Sequence, residues 1–180
     1  NAKTILRDCS LMQMMEPMKA ATIGTVTIAF KSDEIKKYKQ AIQIFVSRNS
    51  HFAITSCTFA NRKWDGVSPE GYELLRIYIG RVGDESIVEL SDYEITKTVL
   101  SDLEKMLGIK SQPVFSYVTR WQRGMPQYTV GHKSRIKLLK EEVEKSFPNV
   151  LLAGSSYEGV SVPNCIKQGR VSALKVLKQL

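Results

Sequence analysis

The chain has 180 residues, 43% of them hydrophobic and 24% charged, and its 26 Lys and Arg against 18 Asp and Glu give a formal charge of +8 at pH 7. That length suits roughly one domain of about 100 to 200 residues with a real core. The longest apolar runs, residues 42–46 and 150–153, fall far short of the ~20 residues that a membrane-spanning helix needs, so the chain is expected to be soluble or at most peripheral at a membrane.

Three cysteines, Cys9, Cys57 and Cys165, are an odd number at wide spacing, which argues against a secreted disulfide framework and fits a reducing cytosol. The only histidines, His51 and His132, stand far apart without clustered carboxylates, so no metal site is expected. A charge of +8 suits a nucleic acid, an acidic membrane surface or an anionic substrate, and does not choose among them. Lys36, Lys37, Lys39 and the lysines of residues 133–145 alternate with apolar or acidic residues and read as solvated faces. The first residue is Asn1 rather than methionine and no secretory signal is present, a hint that something has been removed.

Residues 22–30 alternate, with Val26, Ile28 and Phe30 against Thr25, Thr27 and Ala29, which is the period of a β-strand. Residues 41–46, 53–60 and 72–82 carry β-branched or aromatic side chains at the same spacing, separated by turn-rich stretches such as 65–71. Successive strands at short separation predict an antiparallel sheet. At Ser91 the period changes. Ser91 and Glu94 have capping-box spacing, Ile95, Val99, Leu103 and Leu107 then fall on one helical face, and Gly108 suits a left-handed cap. A further strand is expected over residues 114–121. Next comes an amphipathic helix over about 134–147, carrying Ile136, Leu139, Val143 and Phe147 on one face and ended by Pro148.

The closing element reads as a short buried strand over 150–153, a loop over 154–163 and a helix from about Asn164 to the end. Free N–H groups and the positive dipole end make a helix start an anion site, and glycines allow close approach to the backbone. A flavin is one such ligand, since its N1–C2=O edge gains negative charge on reduction. Ordinary turn geometry in an α/β connection is the competing reading of Gly154, Ser155 and Gly159. No internal repeat, low-complexity segment or linker marks a boundary within the chain.

The string Leu152-Ala153-Gly154-Ser155-Ser156-Tyr157-Glu158-Gly159-Val160-Ser161-Val162-Pro163-Asn164-Cys165-Ile166, with Gly169 beyond it, closely resembles the C-terminal flavin-binding segment of the protoporphyrinogen and coproporphyrinogen oxidases. Upstream, Thr119-Arg120-Trp121 and Met125-Pro126-Gln127-Tyr128-Thr129-Val130-Gly131-His132 resemble the same family in order and separation, as do residues 54–64 and the Pro69-Glu70-Gly71 turn. The resemblance covers most of the chain. It implies noncovalent FAD, with the backbone of Val160, Ser161 and Val162 against the flavin edge and Trp121 near the cofactor. Gly154, Ser155 and Gly159 are further candidate cofactor contacts. Trp121 could equally be a core aromatic at the end of its strand. Tyr128, His132 and Arg135 are candidate acid, base or carboxylate-binding groups, with no catalytic role assigned. A lone histidine after glycine is more often a satisfied structural residue.

The resemblance also implies an activity: oxidation of coproporphyrinogen III or protoporphyrinogen IX to the porphyrin in three two-electron steps, with oxygen as the terminal acceptor, in the cytoplasm. The bacterial style of the sequence leans toward coproporphyrinogen. Peripheral membrane contact and self-association stay open. The family's GxGxxG opening is not present, and Gly80-Arg81-Val82-Gly83 lacks the third glycine. The chain is therefore expected to be a C-terminal part, without the dinucleotide-binding half and inactive alone, of α+β class with an α/β closing element. Residues 1–112 are assigned to the substrate domain and 113–180 to the FAD-binding domain. Two other readings compete: a different flavin amine oxidase or desaturase, and a basic nucleic-acid or membrane-binding module. For nucleic acid, only Arg76-Ile77-Tyr78 offers a faint RNA-sheet pattern, and none is expected as a partner.

Overall fold

Alternation in the first strand sets the architecture. In the computed structural model, which describes residues 18–35 and 40–178, strand β1 runs Ala20–Lys31 and buries Val26, Ile28 and Phe30 completely on one face. The lysines at 36, 37 and 39, and Cys9, lie outside the described residues. Strands β2 (Gln43–Phe45), β3 (Ile54–Phe59), β4 (Tyr72–Ile79) and β5 (Phe115–Pro126) complete a five-stranded sheet of order β2-β3-β4-β1-β5. Antiparallel pairing joins β2 to β3, β3 to β4 and β4 to β1, as the short spacing predicts. Bonds from Val114 to the Ala29 carbonyl and from Arg123 to the Thr22 hydroxyl show β5 running against β1.

The register places like with like. Val26 faces Ile77, which faces Cys57, and Ile28 faces Leu75, which faces Phe59. Ile54 and Cys57 are three residues apart, so a regular strand would point them to opposite faces. A register shift between Ile54 and Ser56 turns both inward. A single helical turn, α1 (Ala60–Lys63), follows β3, and its Arg62 guanidinium pairs with Glu73 at 3.1 Å and lies 4.0 Å above the Phe59 ring. The strand expected over 72–82 stops at Ile79 because Gly80 takes φ 78°, and a Cβ there would meet Val88 Cγ2 at 2.6 Å. The expected 41–46 strand shrinks to its three central residues.

Helix α2 (Asp92–Leu107) starts at the predicted capping box and ends at Gly108, whose φ of 64° is the left-handed cap. Its Ile95, Val99, Leu103 and Leu107 join the buried face of the sheet in one cluster. Burying each such side chain contributes about 1.5–3 kcal/mol. The Arg120 guanidinium on β5 fixes the approach to this helix, donating to the carbonyls of Val88 at 2.8 Å and Leu90 at 2.6 Å and to Asp92 Oδ1 at 2.6 Å. This clamp was not legible in the sequence.

The described residues form two compact units, one within 21–124 that holds the sheet and α2, and one made of 18–20 with 125–178. The boundary expected at 112/113 falls just ahead of β5, whereas the units part at 124/125. In the second unit, helix α3 (His132–Ser146) buries Ile136, Leu139 and Val143 with Leu152, Tyr157, Met18 and Val150. It begins two residues earlier than the pattern predicts, with Gly131 at φ 80° as its N-cap. The strand expected over 150–153 is a correction: these residues form no ladder among those described and instead lead as irregular chain into a turn. Their apolar run is explained by Leu152 and Val150 packing beneath α3, and a run of four cannot distinguish a strand from a buried connection. Helix α4 (Val162–Leu177) closes the chain with Val162, Ile166, Leu174 and Leu177 exposed. Among the described residues no helix is long and apolar enough to cross a membrane.

Candidate functional site

The start of α4 is built from the loop before it. Pro148 and Asn149 come after α3, the chain passes Leu152, and Gly154 turns at φ 127° with open space where a Cβ would sit. A turn closes from the Tyr157 N–H to the Gly154 carbonyl at 3.1 Å, while Gln168 of α4 reaches back, its Oε1 accepting from the Gly154 N–H at 3.0 Å. Gly159 takes φ 112°, and a Cβ there would stand 2.3 Å from Asn164 Nδ2. Both the conformation and the space demand glycine.

Ser161 is the N-cap of α4. Its hydroxyl accepts from the Asn164 N–H at 3.4 Å and its carbonyl accepts from Cys165 N–H at 3.0 Å. Val162 and Pro163 open the helix, a place where the missing proline N–H leaves no intrahelical bond unmade. The N–H groups of Val160, Ser161 and Val162 have no partner among the described residues, and all three residues are exposed. The first turn carries no acidic side chain to neutralise the helix dipole. A helix start in this state, worth about half a positive charge, suits an anionic edge of a planar ligand lying against residues 160–162. The site therefore fits the flavin that the sequence resemblance implies.

Two residues of the upstream motif, Tyr128 and His132, secure this loop. The Tyr128 hydroxyl donates to the Ser155 carbonyl at 2.5 Å and accepts from the Gly159 N–H at 2.6 Å. The buried His132 ring stacks on Tyr128 with centroids 3.9 Å apart and planes 10° from parallel, and its Nε2 lies 2.8 Å from the Tyr157 carbonyl. A carbonyl only accepts, so this nitrogen carries hydrogen. Arg135 ties the preceding turn, donating to the Val130 carbonyl at 2.8 Å and the Thr129 hydroxyl at 2.6 Å. Beside them Lys140 pairs with Glu158 at 2.6 Å. Burial pushes the Tyr157 hydroxyl above its ordinary pKa. Tyr128, His132 and Arg135 thus each have intramolecular hydrogen-bond partners.

Gly154, Ser155, Gly159, Val160, Ser161 and Val162 come together in this loop, within the unit of α3 and α4. Trp121 belongs to the sheet unit. It stands on β5, 53% exposed, so it is not a core aromatic. Just beyond it Arg123 takes φ 48°, rare for a side chain other than glycine, and a Cβ on Gly124 would meet Trp121 Cβ at 2.9 Å.

A helix N-terminus reached through a glycine loop, with unpartnered N–H groups among the described residues and no carboxylate in its first turn, is an arrangement suited to an anionic group of a ligand. The chain belongs to the family of flavin containing amine oxidoreductases, which it matches over residues 5–177. It is 41% identical over 179 residues to a coproporphyrinogen III oxidase of Bacillus subtilis, covering 99% of this chain and 38% of that protein. To a coproporphyrinogen III oxidase of Staphylococcus aureus it is 35% identical, covering 91% of this chain and 35% of the relative. A crystal structure from Exiguobacterium sp. 255-15, provisionally named a protoporphyrinogen oxidase, superposes with a TM-score of 0.82 at 31% identity, covering 98% of this chain and 39% of that one. The chain spans less than two fifths of the length of these relatives. The resemblance to the porphyrinogen oxidases and the α+β class are borne out.

Proposed function

We propose that this chain forms the C-terminal part of an oxygen-dependent, FAD-containing porphyrinogen oxidase with coproporphyrinogen III as its substrate. The observation that carries the proposal is the set of unpartnered N–H groups of Val160, Ser161 and Val162 at the positive end of α4. When bound, FAD supplies the two-electron acceptor chemistry, with oxygen as the terminal oxidant. The N–H groups of residues 160–162 hold the negative charge that develops on the flavin edge, Gly154 and Gly159 let the backbone approach it, and Ser155 lies in the turn between them. By the family resemblance Trp121, exposed on β5, is a further proposed cofactor contact. The α3–α4 unit serves the cofactor and the sheet unit the substrate.

A charge of +8 is compatible with either the tetracarboxylate coproporphyrinogen or the dicarboxylate protoporphyrinogen. Two relatives named coproporphyrinogen III oxidase, from Bacillus subtilis and Staphylococcus aureus, support the choice of coproporphyrinogen. The cytoplasm is the proposed location. The exposed Ile166, Leu174 and Leu177 of α4 support self-association of the chain in isolation, and the basic surface supports a peripheral contact with acidic lipid.

The test is turnover by the whole flavoprotein of coproporphyrinogen III, protoporphyrinogen IX and a primary amine, with porphyrin fluorescence and peroxide release as readouts. Faster oxidation of coproporphyrinogen is the expected result. Amine oxidation without porphyrin formation would place the enzyme with another branch of the family and overturn the proposal.

A further inference from the structure

The phenol of Tyr128 uses both of its hydrogen-bonding capacities on the backbone of a single loop. It donates to Ser155 and accepts from Gly159, so one oxygen joins the two ends of a five-residue segment. His132 grips the middle of the same segment through the Tyr157 carbonyl and holds the phenol ring by stacking at 3.9 Å. The pair is itself fixed from behind. The His132 N–H closes a turn onto the Thr129 carbonyl at 3.0 Å, and Arg135 bonds Val130 and Thr129 from the first turn of α3.

The segment so held ends where α4 begins. Gly159 is the last residue before Val160, Ser161 and Val162, and its φ of 112° directs the chain into the N-cap. Its carbonyl also faces the Cys165 Sγ at 3.8 Å. The Gly159 N–H therefore has a partner, while the next three N–H groups along the chain have none. Tyr128 marks the point at which the backbone stops bonding to itself and turns outward.

We infer that Tyr128, backed by His132, is a positioning residue that fixes the direction of the α4 N-terminus and so tunes the reduction potential of the cofactor held there. This inference rests on the proposed placement of the flavin edge at residues 160–162. The effect passes through the 155–159 backbone, to which both side chains bond. Without the hydroxyl, Gly159 is free to rotate, the N–H groups lose their aim, and less of the negative charge of the reduced flavin is compensated.

The test uses the whole flavoprotein in three forms: unaltered, Tyr128→Phe and Ser161→Asp. Two readouts are taken, hydrogen exchange of the Tyr157 and Gly159 amides, the ones in this loop that are hydrogen-bonded, in the flavin-free protein and the flavin reduction potential in the loaded one. Tyr128→Phe is expected to speed exchange of these amides roughly tenfold, the size set by losing two hydrogen bonds, and to lower the potential. Ser161→Asp retains an N-capping side chain but adds a negative charge beside residues 160–162, and is expected to lower the potential without speeding exchange. If Ser161→Asp lowers the potential and Tyr128→Phe leaves it unchanged, the positioning role is overturned and the flavin placement survives. If Ser161→Asp leaves the potential unchanged, the placement fails and the positioning role fails with it. Should Tyr128→Phe not yield a folded holoprotein, His132→Gln retains an N–H donor and removes only the stacked ring. A lowered potential in that variant supports the inference, and an unchanged one overturns it.

Discussion

Asp102 on α2 accepts a hydrogen bond from the backbone N–H of Ala53 at 2.8 Å, at the entry to β3. The same oxygen accepts from Ile54 at 3.2 Å. Two backbone donors at the start of a strand are thereby satisfied by a carboxylate from a helix 48 and 49 residues away in sequence. The side chain is 5% exposed, so its removal leaves buried donors without a partner. Asp102→Ala should lower unfolding stability by about 1–3 kcal/mol, read as a shift of the urea midpoint at constant slope. Asp102→Asn, which keeps an acceptor oxygen, should lose clearly less, and an equal loss from both would refute the assignment.

Gly159 and Gly154 both hold left-handed φ values, 112° and 127°, but differ in their surroundings. A Cβ at 159 collides with Asn164, whereas a Cβ at 154 meets nothing within 4 Å. Gly154→Ala should carry only backbone strain of order 1–3 kcal/mol, and Gly159→Ala that strain plus the clash. Thermal unfolding of the two variants should rank them in that order. Pairing Gly159→Ala with Asn164→Ala should recover part of the loss, because the second change removes the colliding amide.

Cys57 and Cys165 should differ sharply toward alkylating reagents. Burial within the sheet pushes the Cys57 thiol up to about 12, a rise that nearby Arg62 only partly offsets, and the residue has no exposed surface. Cys165 is partly exposed in the first turn of α4. In a Cys9→Ser background, mass spectrometry after iodoacetamide should find Cys165 modified and Cys57 intact until denaturant is added. Modification of Cys57 in the native protein would contradict its place in the core.

The capping box of α2 predicts an acid-side loss of stability. Hydrogen bonds from the Ser91 hydroxyl at 2.6 Å and the Ser91 N–H at 3.0 Å hold the Glu94 carboxyl below the usual glutamate range. A group whose pKa is lower when folded stabilises the fold above its unfolded value, about 4.3, and this contribution vanishes as pH falls through the lowered native value. Urea midpoints of the unaltered protein and of Glu94→Gln should therefore converge on acidification through that window. A difference independent of pH would show that ionisation of Glu94 contributes nothing.

How much of this was legible in the sequence depends on whether the partners were local. The capping box needs only Ser91 and Glu94, three residues apart, and the alternation of β1 needs only its own side chains, so both were readable. Arg120 was recognised as part of a motif but not as a clamp, because its partners are the carbonyls of Val88 and Leu90, which every residue type possesses. Tyr128 escaped for the same reason. It bonds to backbone atoms 27 and 31 residues away, and no pattern of side chains announces a main-chain partner. The run 150–153 misled in the opposite direction, since burial beneath α3 selects the same apolar residues as a strand does. The inward turn of both Ile54 and Cys57 depended on a bulge, which period-two reading does not anticipate.

Thr22 and Arg123 are 101 residues apart in the chain but joined by one hydrogen bond of 3.1 Å. The sheet unit therefore begins and ends at a single place, like a loop of rope returning to the post from which it left. A segment with adjacent ends can lengthen, shorten or be exchanged without disturbing the path of the chain it interrupts. Variation in the sheet, whether by natural divergence or by engineering, is in this way separated from the spacing between the segment ahead of Thr22 and the segment beyond Arg123.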